Sequence, residues 1–503
     1  MSLFFSAIVY MLHRVYVTST AVGLLLALAA VAHAQAPAAP SAPAPAAVAA
    51  PPAPPPPVAA PPAPDPVAAA LSAKIDETDQ IARIAARKIE LLEEQLAAKA
   101  KDSPAVLADE KGFGVRSADG AFSLRIRGLL QADSRWFLRD SALSDRLDTF
   151  LLRRFRPGLD GTLFNLADFR FVPDFAGGAA VIFDGYIDIH PAPYARLRAG
   201  KFKMPLGLER LQSDADLPLA ERALTQYLTP TRDVGLALWG DIAGGVLGYN
   251  VGVYNGGFDN SNADIDTNHA KDFVGRILIQ PFKSDQLKDL GSLGLHVAVS
   301  RGDRRGLPTA TLLPSFRTAG LNTFYSYLAP TPDADGSKTV FAYLRQSRLN
   351  PGLFYYNGPI GVLAEAVWSR QEVRKANATA TLTNKAAHAT ASFVIGGKNG
   401  YDGATPTQSF DFRKGTLGAL ELVVRWNWLK VDGAAFPDYA DITKSASKAQ
   451  GWAGGANYVP SRTLRIDVNY ERTKFSGGGG GTAAAPKDRN TESVIISRVQ
   501  VNF

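Results

Sequence analysis

The residues of this chain best equipped for chemistry are cations set among carboxylates. In the run Phe122-Ser-Leu-Arg-Ile-Arg-Gly, Arg125 and Arg127 take one phase while Phe122, Leu124 and Ile126 take the other. Lys201 and Lys203 share a face opposite Phe202 and Met204. Between Met204 and Val234 stand Glu209, Arg210, Asp214, Asp216, Glu221, Arg222, Arg232 and Asp233, in a stretch too long for a hairpin turn. Guanidinium and ammonium groups hold anions through charge-assisted hydrogen bonds, Arg as a bidentate fork and Lys as a point charge. Each of these cations can equally be tied to a neighbouring carboxylate and solvated. Covalent catalysis has much less support. Cysteine is absent, which removes thiol nucleophiles and cysteine metal sites. Of the six histidines, His13 and His33 flank an N-terminal apolar run, and His190, His269, His296 and His388 lack a G-x-S-x-G or His-x-x-x-His setting. No catalytic residue, metal, cofactor or nucleic-acid partner is expected. The net charge of +7 points only weakly to anionic partners.

The elements that position these residues follow a period of two from Gly120 onward. Alternating apolar and polar segments fall near 121–137, 149–163, 168–175, 179–190, 194–204, 233–241, 245–256, 271–281, 290–301, 339–357, 359–374, 386–397, 415–431, 449–459, 462–476 and 491–503. Such alternation fits either a soluble sandwich with a solvated charged face or a transmembrane barrel with an apolar outer face. Two features favour the barrel. Short turns such as Asn165-Leu-Ala and Pro191-Ala-Pro alternate with long polar connections at 257–270, 302–338 and 477–490. Aromatics stand near segment ends (Trp136, Phe137, Tyr254, Tyr355, Tyr356, Trp426 and Trp428), where interfacial girdles are expected. The chain closes on Val499-Gln-Val-Asn-Phe503, an alternating segment with the terminal aromatic common in outer-membrane barrels. The expected fold is therefore all-β, an antiparallel transmembrane barrel of about sixteen strands embedded in outer-membrane lipid.

The first hundred residues read differently. Ala21 to Val31 is a short apolar run followed by Ala32-His33-Ala34, the layout of a cleaved signal peptide over 1–34. Met11 gives a more ordinary signal length than Met1. The Ala/Pro-rich segment 35–66 is expected to be a disordered, polyproline-like linker. Over 67–102 a seam of Leu71, Ile75, Thr78, Ala82, Ala85, Ile89, Leu92 and Leu96 steps by four and three, the pattern of a short coiled coil. A single amphipathic helix lying on the base of the barrel is the alternative.

Several blocks within 110–503 resemble the phosphate-selective porin O/P family. They are Gly200-Lys-Phe-Lys-Met-Pro-Leu-Gly207, Glu221-Arg-Ala, Pro230-Thr-Arg-Asp-Val-Gly235, Leu417 to Trp426, Asn457-Tyr-Val-Pro460, Val468-Asn-Tyr-Glu471 and Ser497 to Phe503. The resemblance implies a sixteen-stranded homotrimeric porin whose basic-lined pore conducts phosphate or related small anions. It also implies that the segment near 204–233 folds into the lumen as a constriction. On that reading the anion-binding, pore-lining residues are Arg125, Arg127, Lys201, Lys203, Arg210, Arg222 and Arg232. Arg196 and Arg198 conflict in phase with Lys201 unless Gly200 marks a bulge. A porin for another solute class, such as sugars or aromatic acids, is the other function that the sequence leaves open.

Overall fold

The computed structural model describes residues 66–138, 147–262, 266, 268–283, 289–331, 333 and 335–503. The expected signal peptide, nearly all of the Ala/Pro-rich linker and the question of the first Met lie outside them.

Helix α1, Pro66–Asp102, forms where no Gly or interior Pro interrupts the chain. Its large seam residues Leu71, Ile75, Ile89, Leu92 and Leu96 are all exposed.

Sixteen strands make the barrel: β1 Ser123–Phe137, β2 Thr149–Leu163, β3 Ala167–Asp174, β4 Val181–Ala192, β5 Ala195–Lys203, β6 Arg232–Ile242, β7 Leu247–Tyr254 and β8 Asp272–Ile279, then β9 Gly294–Arg305, β10 Val340–Asn357, β11 Ile360–Lys375, β12 Ala378–Ile395, β13 Ala419–Lys430, β14 Ala446–Val459, β15 Leu464–Gly481 and β16 Glu492–Asn502. Each pairs antiparallel with its neighbours in sequence. Pairing of β16 with β1, from Val494↔Phe137 to Asn502↔Leu129, closes the sheet along all but the first residues of β1.

Burial is inverted relative to a soluble protein. Along β15, Ile466, Val468 and Tyr470 are exposed, whereas Arg465, Asp467, Asn469 and Glu471 are at most 6% exposed. In hydrocarbon such a closed sheet pairs its backbone groups within the sheet and presents a mainly apolar face. Short turns at Phe164–Leu166, Pro193–Tyr194 and 460–463 share one end, which by the usual barrel rule faces the periplasm. The long connections 204–231, 255–271 and 306–339 share the other.

Three details depart from the sequence expectations. Strand β12 begins at Ala378 rather than near 386, because Ala376, at φ +51°, allows a tight turn out of β11. Phe137, Tyr254 and Tyr356 do not belong to an outer girdle. Phe137 packs against Ala220, Ala319, Val494 and Ile496 inside the barrel, Tyr254 is 1% exposed beside Phe202, and Tyr356 meets Tyr401. Phe202 and Met204 likewise join an interior cluster with Leu206, Ala237, Tyr254, Val274 and Ala298.

Residues 204–231 enter the barrel, carrying a short helix at Leu208–Leu211 and a 3-10 turn at Leu224–Leu228. A segment without sheet partners must find hydrogen bonds elsewhere, and the barrel wall supplies them. Asn350 Oδ1 accepts from the Gly207 amide at 2.8 Å, and Glu365 accepts from the Leu208 amide at 2.6 Å. Asn469 Oδ1 accepts from the Ala220 amide at 2.7 Å, while Asn457 donates to the Pro218 carbonyl at 2.6 Å and Gln500 to that of Ala215 at 2.9 Å. Gly207, at φ +82°, makes the turn into the helix, and a Cβ there would stand 2.7 Å from Arg210 Cβ.

Glu365→Ala leaves the buried Leu208 amide without its acceptor, at about 1–3 kcal/mol, and leaves the Thr225 hydroxyl with His388 Nδ1 as its one remaining partner. The expected result is a folded, heat-modifiable barrel with a loosened inward segment. Proteolysis within 208–228 and a raised single-channel conductance are the readouts.

Candidate anion pathway

The lumen is not open evenly. On the β10–β15 side, the 306–339 connection inserts Phe316, Phe324, Tyr325 and Tyr327, which pack with Tyr227, Val367, Leu382, Leu429 and Phe475. Free space remains along β2 to β6. An outer cavity of about 430 Å³ lies beneath the long connections, and an inner cavity of about 260 Å³ lies toward the periplasmic end. Arg156, Phe183, Asp214 and Arg232 line both, so these four side chains stand at the junction of the two cavities.

Two β-bulges build this junction. In β2 the register slips where Gln131↔Arg154 is followed by Ala132↔Leu152, leaving Arg153 unpaired. Phe150 and Leu152 then face outward while Arg153, Arg154 and Arg156 all reach the outer cavity. In β4 the slip between Val172↔Asp184 and Pro173↔Ile182 leaves Phe183 unpaired and aims it inward. The guanidinium carbons of Arg156 and Arg232 lie 3.5 and 3.6 Å from the Phe183 ring centroid. The ring presents a polarisable face to each cation and restricts its orientation.

Carboxylates hold the other guanidinium edges. Arg156 Nε bonds Asp174 at 2.6 Å, and its Nη1 bonds Asp214. Asp214 also pairs with Arg222 and with Arg154 Nη2 at 3.3 Å. Arg232 Nε bonds Asp184 at 3.1 Å. Glu221 accepts from Arg135 at 2.6 Å and from Arg153 at 2.6 and 3.0 Å.

The expected pore residues divide into two groups. Lys203, Arg210, Arg222, Arg232 and Arg127 line the cavities. Lys203 donates to the Leu211 and Gln212 carbonyls at 3.1 and 2.7 Å, Arg210 to the Gln226 carbonyl at 2.6 Å, and Arg127 to Asp160 at 2.8 Å. Arg125 and Lys201 are not among the cavity-lining residues: Arg125 is bound by Asp109, and Lys201 donates to the Asn262 carbonyl at 2.9 Å. Arg196 and Arg198 lie over Trp239 and bond Asp188, with Gly200 at φ +124° beyond them. The sequence reading missed Arg153, Arg154, Arg156, Arg170 and Phe183. The clustered Leu152-Arg-Arg-Phe-Arg156 was the available signal for the first three.

The charges are graded along the path. Seven cations (Arg153, Arg154, Arg156, Arg210, Arg222, Arg232 and Arg317) face three carboxylates around the outer cavity. Around the inner cavity five cations meet five carboxylates.

Residues 124–503 match the family model described as phosphate-selective porin O and P. The chain belongs to that family. No curated protein matches this porin. Among solved structures it is similar to an anion-selective porin from Comamonas acidovorans, at 12% identity and a TM-score of 0.48, covering 76% of this chain and 100% of that one. The outer membrane channel DcaP of Acinetobacter baumannii aligns at 11% identity and 0.47, covering 78% and 99%. OmpT of Vibrio cholerae aligns at 11% and 0.46, covering 79% and 100%.

One carboxylate of the porin's inward segment titrates near neutrality. Burial, with Asp402 beside it, pushes the Asp216 carboxyl up to about 6. Below that pH it becomes neutral and the inner cavity gains net positive charge. Anion preference in a salt gradient is therefore expected to rise between pH 7.5 and 5. In Asp216→Asn the preference should already be at the low-pH level at pH 7.5 and change less on acidification.

Proposed function

We propose that this porin is a passive, anion-selective channel of the outer membrane whose solutes are phosphate and related phosphorylated anions. The observation that carries the reading is the Arg156–Phe183–Arg232 stack at the junction of the two cavities. The cation excess of the outer cavity concentrates anions in front of it. At the junction an anion's oxygens exchange with those of Asp214 and Asp184 on guanidinium groups already turned toward the path. Each fork replaces part of the anion's hydration shell with charge-assisted bonds. Because the carboxylates compete for the same donors, occupancy stays brief. Arg170, Lys203 and Arg127 then provide successive weak contacts, and the balanced inner cavity favours release.

The same reading makes the protein a homotrimer in which α1 packs against its copies. The exposed Leu71, Ile75, Ile89, Leu92 and Leu96 on a 3.5-residue seam support that role. Deleting 66–101 should lower the trimer fraction in native electrophoresis and leave single-channel conductance unchanged. A full trimer fraction in the deletion would overturn the coiled-coil role.

The decisive measurement is chloride conductance with phosphate titrated in. Saturating block is expected, weakened about tenfold in Arg156→Ala and in Arg232→Ala, the size of one lost charge-assisted bond. A current indifferent to phosphate would support a porin for another solute class.

A further inference from the structure

Upstream of residues 124–503 the chain makes a hairpin of two short strands, Ala105–Asp109 and Gly112–Arg116. It occupies a defined gap in the barrel. Strand β16 pairs with β1 only down to Asn502↔Leu129, so the lower edge of β1 extends past it. The second hairpin strand takes that edge, from Phe113↔Ile126 to Arg116↔Ser123. The approach is close: a Cβ on Gly112 would stand 2.1 Å from the Ile126 carbonyl oxygen, and one on Gly114 would stand 2.3 Å from that of Leu124. Phe113 meets Phe503 edge to face at 5.8 Å.

This placement brings the turn to the pore. Glu110 lines both the inner cavity and a periplasmic vestibule of about 670 Å³, and Lys111 lines the vestibule. Asp109 grips the Arg125 guanidinium in a bidentate pair at 2.8 and 3.0 Å, and Glu110 lies 3.6 Å from Arg462. Two hydrogen bonds from Arg125, with one from the Lys111 amide, hold the Asp109 carboxyl down at about 2. It is charged at any pH at which the pore would be measured. The Arg125–Asp109 pair is 25% and 48% exposed and so contributes little to stability. Its consequence is electrostatic, since Asp109, next in sequence to Glu110, cancels the charge of a guanidinium that stands beside the vestibule without lining it.

We infer that the Ala105–Arg116 hairpin is a charged collar of the pore, with Asp109 and Glu110 lowering anion preference at the periplasmic mouth by neutralising Arg125 and Arg462. The inference rests on the channel reading above and adds a selectivity-setting element outside the family-matched residues.

The test uses the full-length porin in a planar bilayer, with the reversal potential measured in a potassium chloride gradient. Asp109→Asn combined with Glu110→Gln is expected to raise the chloride-to-potassium permeability ratio about twofold or more. Lys111→Gln should shift it the opposite way. Heat-modifiability on gels verifies that each variant is folded. A folded double variant with an unchanged ratio overturns the collar. A cation-selective wild type would instead overturn the proposed anion function, while the difference between variant and wild type would still decide the collar.

Discussion

Guanidinium–carboxylate pairing between the inward segment and the barrel wall is the interaction on which this lumen depends. A closed barrel satisfies its own backbone, but residues 204–231 have no strand to pair with and must be tied by side chains. Asp214 and Glu221 are the charged ties described above: to the wall, one binds Arg154 and Arg156 and the other Arg135 and Arg153, while Asp214 also binds Arg222 within the segment. Of these guanidinium groups Arg153, Arg154, Arg156 and Arg222 also line the outer cavity, while Arg135 is buried behind them. Both carboxylates are largely withdrawn from water: without Asp214 the buried Arg154 and Arg222 lose their ion pair, without Glu221 Arg153 loses its own, and either loss costs more than the pair contributes. Anchoring and anion handling therefore cannot be varied independently.

That coupling also explains why the passage is not simply a ring of free cations. A narrow ring of bare guanidinium groups would bind a phosphate tightly and release it slowly, whereas conduction needs each site weak enough to leave. Here Asp214 and Asp184 occupy part of the donor capacity of Arg156 and Arg232. In the proposed function an incoming anion exchanges with these carboxylates. Phe183 keeps both guanidinium planes near the junction during the exchange, because stacking persists when a hydrogen-bond partner changes.

Period-two alternation made the sixteen strands legible, because lipid on one face and a polar lumen on the other leave little freedom in the pattern. The candidate site was legible only in part, and the reason is local. A bulge reverses the phase of everything beyond it, and nothing in Leu151-Leu-Arg-Arg-Phe-Arg156 shows that Arg153 is the unpaired residue. The same holds for Phe183, whose alternation with Asp184 reads as an outward position. Phe202, Met204 and Tyr254 read as lipid-facing or girdle residues because apolar residues in a barrel strand usually are. They lie inside because the inward segment gives them an apolar surface to cover. Arg125 had the right phase, but its partner Asp109 lies before the alternating region, so no strand pattern could pair them.

The gradient of charge gives the path a direction that the barrel symmetry does not. For the proposed anion traffic, an excess of cations around the outer cavity would raise local anion concentration where solutes arrive, while the balanced inner cavity would give an anion little reason to stay. Had the excess been placed at the inner cavity, anions would be drawn through the junction and retained beyond it. The vestibule restores a slight cation excess through Lys111, Lys398, Arg462 and Arg465 against Glu110, Asp216 and Asp402. Residues of the inward segment, the hairpin and a periplasmic connection all enter that balance. The charge profile of this pore is therefore set as much by its irregular segments as by its strands, and one acidic or basic residue there can retune it without disturbing a single strand pairing.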